Sequence, residues 1–483
     1  MVFYDEPLWL NDKKWMVTAF ARDTKNGIYA IAYNDFSISL FPEDVFSRWE
    51  EHVLDQKLLK PFESRRLTQL RHHLGTITSL SFCPVLYTSL SDRPLLASAS
   101  DDKSILLWQR QSQAIQSHDE KSRENDGLTE HWKVTSLLIN SSGGGAPTCL
   151  AWAPSGRLLA SGYSDCTITL WYTNFDGKMV NIGTRLALLA GHKSVVKTIA
   201  FHPHEHFFLT CDRYEVRFWS YDYQSEVKLL ATNEVDFHSE FKNQGVKISE
   251  PSNEGTDSTK ASANVNDKTW GEKEVILDGD VDAVNLDSNL PELIDENVDE
   301  EEEIFFLMNI SASFSPDGAF FVVPCCIDKD QMEPILKIFK TDALTVHVSS
   351  PEKFSEAVAS PENFLVFPRQ SYIYNACFTT NLYLTRLVCS ADAKLDDLIQ
   401  SYVALVGEER RISIWSTSPH RKLMEFKGLK DHVRQLGWTD DGKLLVLQYN
   451  GKVGFVSFSN NQLGFKLSSE ALEAIHHNRN QKQ

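Results

Sequence analysis

The chain has 483 residues, 42% of them hydrophobic and 11% aromatic, which is enough apolar surface for a large core. Its formal net charge of −18 works against phosphate backbones, so direct duplex binding is not expected and basic partners are. Asp5 and Glu6 stand where a secretory leader would be basic and then apolar, and no run reaches the length of a membrane span. A soluble, non-secreted chain is therefore expected.

In chain order, residues 8–41 hold the alternating runs YAIAY from Tyr29 and FSISLF from Phe36, read as a first sheet without a closing Trp. Residues 43–71 read as an insertion with a helix-like start at Glu43 to Trp49. HLGTITSLSF from His73 and LLASASDDKSILLW up to Trp108 form the second unit, and the polar stretch 111–130 follows as a loop. CLAWAPSGRLLASGYSDCTITLW from Cys149 to Trp171 is the third. GHKSVVKTIAFHP from Gly191, FFLTCD up to Asp212 and VRFW up to Trp219 make the fourth. Each reads as strands joined by tight Pro-Ser-Gly or Asp-rich turns, at a period of roughly 40 residues.

The pattern pauses over 223–303, which is rich in Asn, Ser, Asp, Glu and Lys, ends in the acidic run Asp299, Glu300, Glu301, Glu302, Glu303, and is expected to be disordered. It resumes with ISASFSPDGAFFVV from Ile310 and a third strand over 335–339. Residues 371–378 and 402–406 lead to RISIW ending at Trp415, with Glu409 in the Asp position. VRQLGWTDDGKLLV from Val433 and VGFVSF from Val453 make the last unit. Eleven Trp and 28 Phe fit strands better than a helical bundle. The expected fold is all-β, a seven-bladed WD40-type β-propeller with long disordered loop insertions. Residues 1–222 would hold blades 1–4, 223–303 the acidic insertion, 304–467 blades 5–7, and 468–483 a flexible tail. Residues 2–10 are a candidate outer strand for the last blade, which would leave no free edge there.

Within the repeats, Asp102 and Asp165 precede Trp108 and Trp171 by six residues, in the turn between the second and third strands. From there a carboxylate can bind turn amides and orient a His from the loop before the blade, while the indole N–H joins the same buried network. His73, Asp102, Trp108, Asp165, Trp171, His192, Asp212, Trp219 and Trp415 are assigned on this logic to a structural blade network, not to catalysis. No nucleophile motif, phosphate-cradling loop or His-Glu-x-x-His appears, so no catalytic residue, cofactor, small-molecule substrate or membrane is expected. His202-Pro-His-Glu-His206 falls in a turn with no matching cluster, and no metal is expected there. The scattered cysteines read as buried thiols of a reducing compartment, and the adjacent Cys325-Cys326 suits neither zinc nor an easy disulfide. Asp299 to Glu303 is either a solvated loop or a contact for a strongly basic partner.

The repeats carry a more specific likeness. The His73 to Trp108 unit resembles the second blade of the HIRA/Hir family of histone chaperone subunits, and Glu130-His-Trp-Lys-Val134 resembles its Trp-Val segment before the next blade. Gly191-His-Lys-Ser-Val-Val-Lys, Ile412-Ser-Ile-Trp-Ser-Thr and the closing Asn461-Gln-Leu-Gly464 are similar to further family signatures. Asn140, where the family's third blade usually offers a His, and Asp212, one residue too far from Trp219, depart from it. Larger family members continue into a basic motif that docks the anti-silencing histone chaperone and into a second C-terminal domain. Gln483 falls shortly after the ring, which puts those two contacts in question.

The resemblance implies a nuclear, non-enzymatic scaffold for replication-independent histone deposition and transcriptional repression. It implies as partners other Hir-complex or chromatin assembly subunits, core histones directly or through the complex, and the anti-silencing chaperone. The middle subunit of chromatin assembly factor one, acting in replication-coupled assembly, shares the propeller and the Trp-Val loop. An adaptor unrelated to chromatin, such as a ubiquitin-ligase substrate receptor or a trafficking coat, is the alternative from another class.

Overall fold

The alternation of short apolar strands with polar turns is realised, in a computed structural model, as antiparallel sheets. The structure describes residues 2–5, 16–43, 66–84, 94–111, 130–141, 144–175, 180–204, 206–212, 215–221, 227–234, 310–327, 334–360, 364–368, 373–384, 399–407, 409–417, 420–458 and 463–468. Most of the insertions read at 43–71 and 111–130, residues 235–303 of the acidic insertion read at 223–303, and the tail from 469 onward lie outside these residues, while Thr68–Arg71 and Val227–Glu234, which those bounds placed in insertions, are outer strands of blades.

The described residues form seven four-stranded antiparallel sheets. Blade 1 is Val17–Asp23, Ile28–Tyr33, Ser37–Pro42 and Thr68–Arg71. Blade 2 is Ile77–Phe82, Leu95–Ser100, Ser104–Arg110 and Trp132–Ile139. Blade 3 is Pro147–Trp152, Leu158–Tyr163, Ile168–Phe175 and Val180–Leu189. Blade 4 is Thr198–Phe201, Phe207–Cys211, Glu215–Tyr221 and Val227–Glu234. Blade 5 is Ser313–Phe314, Phe320–Ile327, Pro334–Lys340 and Phe364–Pro368. Blade 6 is Ile373–Phe378, Tyr402–Gly407, Arg411–Thr417 and His420–Lys427. Blade 7 is Val433–Trp438, Leu444–Gln448 and Val453–Phe458, completed on its outer edge by the N-terminal strand Val2–Asp5.

Both faces of these sheets are covered by neighbours, which explains why the second strands are buried throughout instead of alternating. In blade 2, Leu95, Ala97 and Ala99 pack with Leu150 and Trp152 of blade 3. The intervening Leu96, with Leu106 and Trp108, packs with Ala30 and Leu40 of blade 1. Small residues in the Leu-Ala-Ser strands let two sheets approach on either side, and each buried Leu contributes about 1.5–3 kcal/mol. Polar bonds pin neighbouring first strands as well: Trp152 Nε1 donates to Ser81 O (3.2 Å) and Trp438 Nε1 to Cys377 O (3.0 Å).

Blade 7 packs back on blade 1. Val17, Phe20, Tyr29, Ile31 and Phe41 share one core with Leu445, Leu447, Val453 and Phe455. The Gln435 side chain holds the Phe20 peptide from both sides, accepting from its N–H (3.1 Å) and donating to its carbonyl (2.9 Å). Gly437 is required by close approach, since a Cβ there would lie 2.6 Å from the Phe20 ring.

Two features of the structure have no counterpart in the sequence reading. Between the third and fourth strands of blade 5 lie helices α1 (Asp342–Thr345) and α2 (Pro351–Ala359). Helix α2 begins on a proline, whose missing N–H costs nothing in a first turn, and buries Phe354, Ala357 and Val358 at helical spacing. Phe354 packs edge-on against Phe207 of blade 4 and tilted against its Phe218. Phe465–Lys466, near the C-terminal end of the described chain, pairs with Tyr383–Leu384, which also pairs with Ile399–Gln400, in a small three-stranded sheet. Cys83, Cys149 and Cys211 are buried free thiols, and burial pushes the Cys149 thiol up to about 12.

Candidate functional site

The connections between second and third strands recur in conformation. Phe36, Lys103, Cys166 and Arg410 all adopt positive φ (64°, 69°, 66° and 54°) at the middle of these turns. A non-glycine residue pays about 1 kcal/mol or more there, and the preceding carboxylate offsets it by accepting from the N–H two residues on. Asp35 accepts from Ser37 N (3.1 Å), Asp102 from Ser104 N (2.9 Å) and Asp165 from Thr167 N (3.3 Å). The Asp of the repeat is thus first a turn former.

In blade 2 the same Asp102 reaches further. Its Oδ2 accepts from Leu74 N (2.9 Å) and lies 3.0 Å from His73 Nδ1. His73 Nε2 is 2.7 Å from Ser98 Oγ, and Trp108 Nε1 donates to that hydroxyl at 2.8 Å. Burial works to raise the Asp102 pKa, but bonds from Ser104, the Leu74 amide and His73 outweigh it and bring it down to about 2. An ionised carboxylate only accepts, so Nδ1 carries the proton and Nε2 accepts from Ser98. Burial also drives the His73 pKa below the ordinary imidazole value, against the pull of Asp102. The chain Asp102–His73–Ser98–Trp108 ties the loop before the blade to its second and third strands.

Blade 3 builds the same relay without a His. Trp171 Nε1 donates to Ser161 Oγ (2.9 Å), and the Ser161 hydroxyl bonds the buried Tyr163 phenol (3.1 Å). Asp165 accepts from Gly145 N (3.1 Å) and Thr167 Oγ1 (2.6 Å). Gly145 is fixed by this contact, because a Cβ would lie 2.6 Å from Asp165 N.

In blade 4, His192 Nε2 lies 2.7 Å from Thr210 Oγ1, to which Trp219 Nε1 donates (2.9 Å). Asp212 Oδ2 accepts from Lys193 N (2.9 Å) and Ser194 N (3.0 Å), and its Oδ1 from Glu215 N (2.7 Å). His192 Nδ1 faces two carboxylates, Asp212 at 3.2 Å and Glu215 at 3.6 Å, all three side chains being at most 1% exposed. Arg217 Nε lies 2.7 Å from Glu215, and its guanidinium also donates to Gly191 O.

Blades 6 and 7 depart further. Trp415 donates to Ser413 Oγ (3.1 Å), two residues back in its own strand, and Glu409 pairs instead with Arg411 (2.9 Å) at the surface. In blade 7 the buried Gln448 accepts from Asp431 N (3.0 Å) and donates to Tyr4 of the N-terminal strand (2.8 Å). His202, read as part of a turn, spans two blades: its Nε2 donates to Gly318 O (3.0 Å) while Nδ1 accepts from His204 N (3.1 Å). Both ring nitrogens are committed to backbone.

Sequence reasoning named His73, Asp102 and Trp108, which meet around Ser98, and His192 and Trp219, which meet at Thr210. It missed Ser98, Ser161 and Thr210, the hydroxyls that join them, and Tyr163, Glu215, Arg217 and Gln448. The Ser or Thr in the second strands of blades 2, 3 and 4 was the signal for the hydroxyls, and nothing in spacing marks the others.

At the end of the sheets where these turns lie, large apolar side chains of the described residues stay open, among them Met16 (49% exposed), Phe36 (38%) and Leu74 (87%). Met16 N donates to Asn34 Oδ1 (3.0 Å), beside the Phe36 turn, and Arg71 pairs with Asp35 (3.2 Å) three residues before Leu74. Exposed apolar groups on turns of a rigid sheet frame suit macromolecular contact.

A frame of antiparallel four-stranded sheets, with a His/Asp/Trp relay at the turns, defines a WD-repeat protein of the β-propeller class. Residues 64–109, 133–172 and 183–220 match the family described as WD domain, G-beta repeat. Each span runs from the outer strand of one sheet through the third strand of the next. The chain is similar to Protein HIR1 of Eremothecium gossypii, 22% identical over 429 residues, covering 87% of this chain and 42% of that protein. It is similar to Protein HIR1 of Candida albicans, 31% identical over 195 residues, 40% of this chain and 18% of that one. A mouse subunit of Chromatin assembly factor 1 is 27% identical over 153 residues, 30% of this chain and 24% of its own length. The likeness to Hir proteins read from the repeats is therefore found across fungal relatives, and the chain spans less than half the length of the HIR1 proteins it matches.

Proposed function

We propose that this chain is a non-enzymatic WD-repeat scaffold subunit of a nuclear histone chaperone complex of HIR type, acting in replication-independent nucleosome assembly and transcriptional repression. The observation that carries this reading is the similarity to E. gossypii Protein HIR1 over 87% of the chain, which extends beyond the three spans matched as WD repeats. The network residues of blades 2 to 4, His73, Asp102, Trp108, Asp165, Trp171, His192, Asp212 and Trp219, hold their blades, and the turns carry the contacts. The net charge of −18 favours basic partners, for which core histones are the extreme case, reached directly or through the complex. Asp299, Glu300, Glu301, Glu302 and Glu303 are assigned as a basic-partner contact, and other Hir-complex subunits and the anti-silencing histone chaperone as further partners. The match to the mouse subunit of Chromatin assembly factor 1 supports a second reading, replication-coupled assembly.

Affinity purification of the tagged chain from cells at moderate salt separates these readings. Hir-type subunits and core histones are the expected co-purifying proteins, with histones lost on deleting 278–303. Recovery of the large assembly-factor subunit instead moves the chain to the second pathway. If no chromatin component is recovered, an adaptor role outside chromatin replaces both.

A further inference from the structure

We infer that blade 4 contains a divalent-metal site in which His192 Nδ1, Asp212 and Glu215 are the protein ligands, with zinc the ion that suits one imidazole and two carboxylates. The three candidate ligand atoms lie within 4.8 Å of one another, in a place closed to solvent. Among the described residues, His192 Nδ1 makes no hydrogen bond of acceptable geometry although two carboxylates surround it. Blade 2 shows what the ordinary relay looks like: there His73 Nδ1 meets one carboxylate, Asp102, in a hydrogen bond of 3.0 Å. In blade 4 the nitrogen instead has carboxylate oxygens at 3.2 and 3.6 Å. Tetrahedral zinc with bonds of about 2.0 Å separates its ligands by roughly 3.3 Å, so these spacings fit a shared ion.

The outer contacts point the same way. His192 is oriented through its other nitrogen by Thr210 Oγ1 at 2.7 Å, and Arg217 orients Glu215, the pattern of outer-shell support that metal ligands carry. The ion would clamp the loop before the blade, which brings His192, to the turn and third strand that bring Asp212 and Glu215. This site does not depend on the chromatin role proposed above, and its test reads metal, not partners.

The full chain, stripped with EDTA and then equilibrated with zinc chloride, is expected to retain one more zinc ion per molecule than Glu215→Gln. Zinc is expected to raise the melting temperature of the wild type and not of this variant. Glu215→Gln keeps side-chain length and an acceptor for Arg217, and His73→Gln, at the blade 2 relay, is expected to leave zinc content unchanged. If Glu215→Gln does not fold, the wild type loaded with cobalt(II) decides: visible bands of a tetrahedral nitrogen and oxygen site support the proposal, and their absence overturns it. Equal zinc content in wild type and Glu215→Gln overturns it. So does a nitrogen-15 spectrum showing His192 as imidazolium with zinc present, since a protonated Nδ1 has no lone pair for a metal.

Discussion

In blade 2 one carboxylate, Asp102, meets one imidazole, while in blade 4 Asp212 and Glu215 converge on His192 and Arg217 is added behind them. The hydroxyl ends of the two relays match in their distances, with His to Ser98 or Thr210 at 2.7 Å in each. What differs is how the loop is tied down. Blade 2 uses neutral hydrogen bonds around a single charge close to the surface, and blade 4 encloses a set of charges away from water. Buried charges cost little when complete and much when one is removed, so the same fold element should respond differently to the same kind of mutation.

The largest effect is expected from Asp212→Ala. It strips three backbone amides of their acceptor and leaves His192 and Arg217 beside a lone Glu215, a loss of about 3–5 kcal/mol. The urea midpoint measures it, and a cost near that of a surface substitution would erase the distinction between the blades. Ser98→Ala removes the hydroxyl that His73 and Trp108 share and is expected to cost about 1–3 kcal/mol. Ser413→Ala in blade 6, where the hydroxyl's role is to receive the half-buried Trp415 indole, is expected to cost about 1 kcal/mol or less. Equal losses at the two serines would mean that the blade 2 relay adds nothing as a chain.

Acidification sharpens the comparison next. The lowered His73 pKa means that the unfolded chain binds more protons between the unfolded and folded values, so this contribution is complete near neutral pH and is lost as pH falls below the usual imidazole range. The depressed Asp102 gives a second loss, starting near pH 4 and continuing as pH falls toward about 2. Stability measured from pH 7 to 5 should therefore fall less steeply in His73→Gln than in the wild type, and identical slopes would contradict the assignment. The smallest effect is expected from Glu409→Ala, whose carboxylate pairs with Arg411 in water and contributes about 0.5 kcal/mol or less.

Blades 2, 3 and 4 were legible because their strands, turns and Trp positions repeat at a fixed period, and an antiparallel four-stranded sheet leaves few alternatives for such a pattern. Blade 7 was legible from the Asp-Asp-Gly turn, and the role of residues 2–10 as its outer strand followed from the need to cover an edge; Val2–Asp5 takes that place. Helix α2 was missed because nine residues with three buried positions carry too weak a period beside the strands around them. The strands Tyr383–Leu384, Ile399–Gln400 and Phe465–Lys466 were missed because two residues carry no alternation at all. Trp415 and Glu409 show the opposite error. They keep the repeat's spacing, but the side chains bond within their own strand and its leading turn.

The sequence by itself determined the number of blades, the residues at each turn and the acidic balance, because those depend on local periodicity and composition. Tertiary structure alone decided which groups meet. Glu215 comes to His192 from the third strand of the blade, Tyr163 takes up the relay in blade 3, and Gln435 grips Phe20 from 415 positions along the chain. Such contacts are set by how neighbouring sheets stack and how the ends of the chain return to each other. No spacing rule within one repeat contains that information.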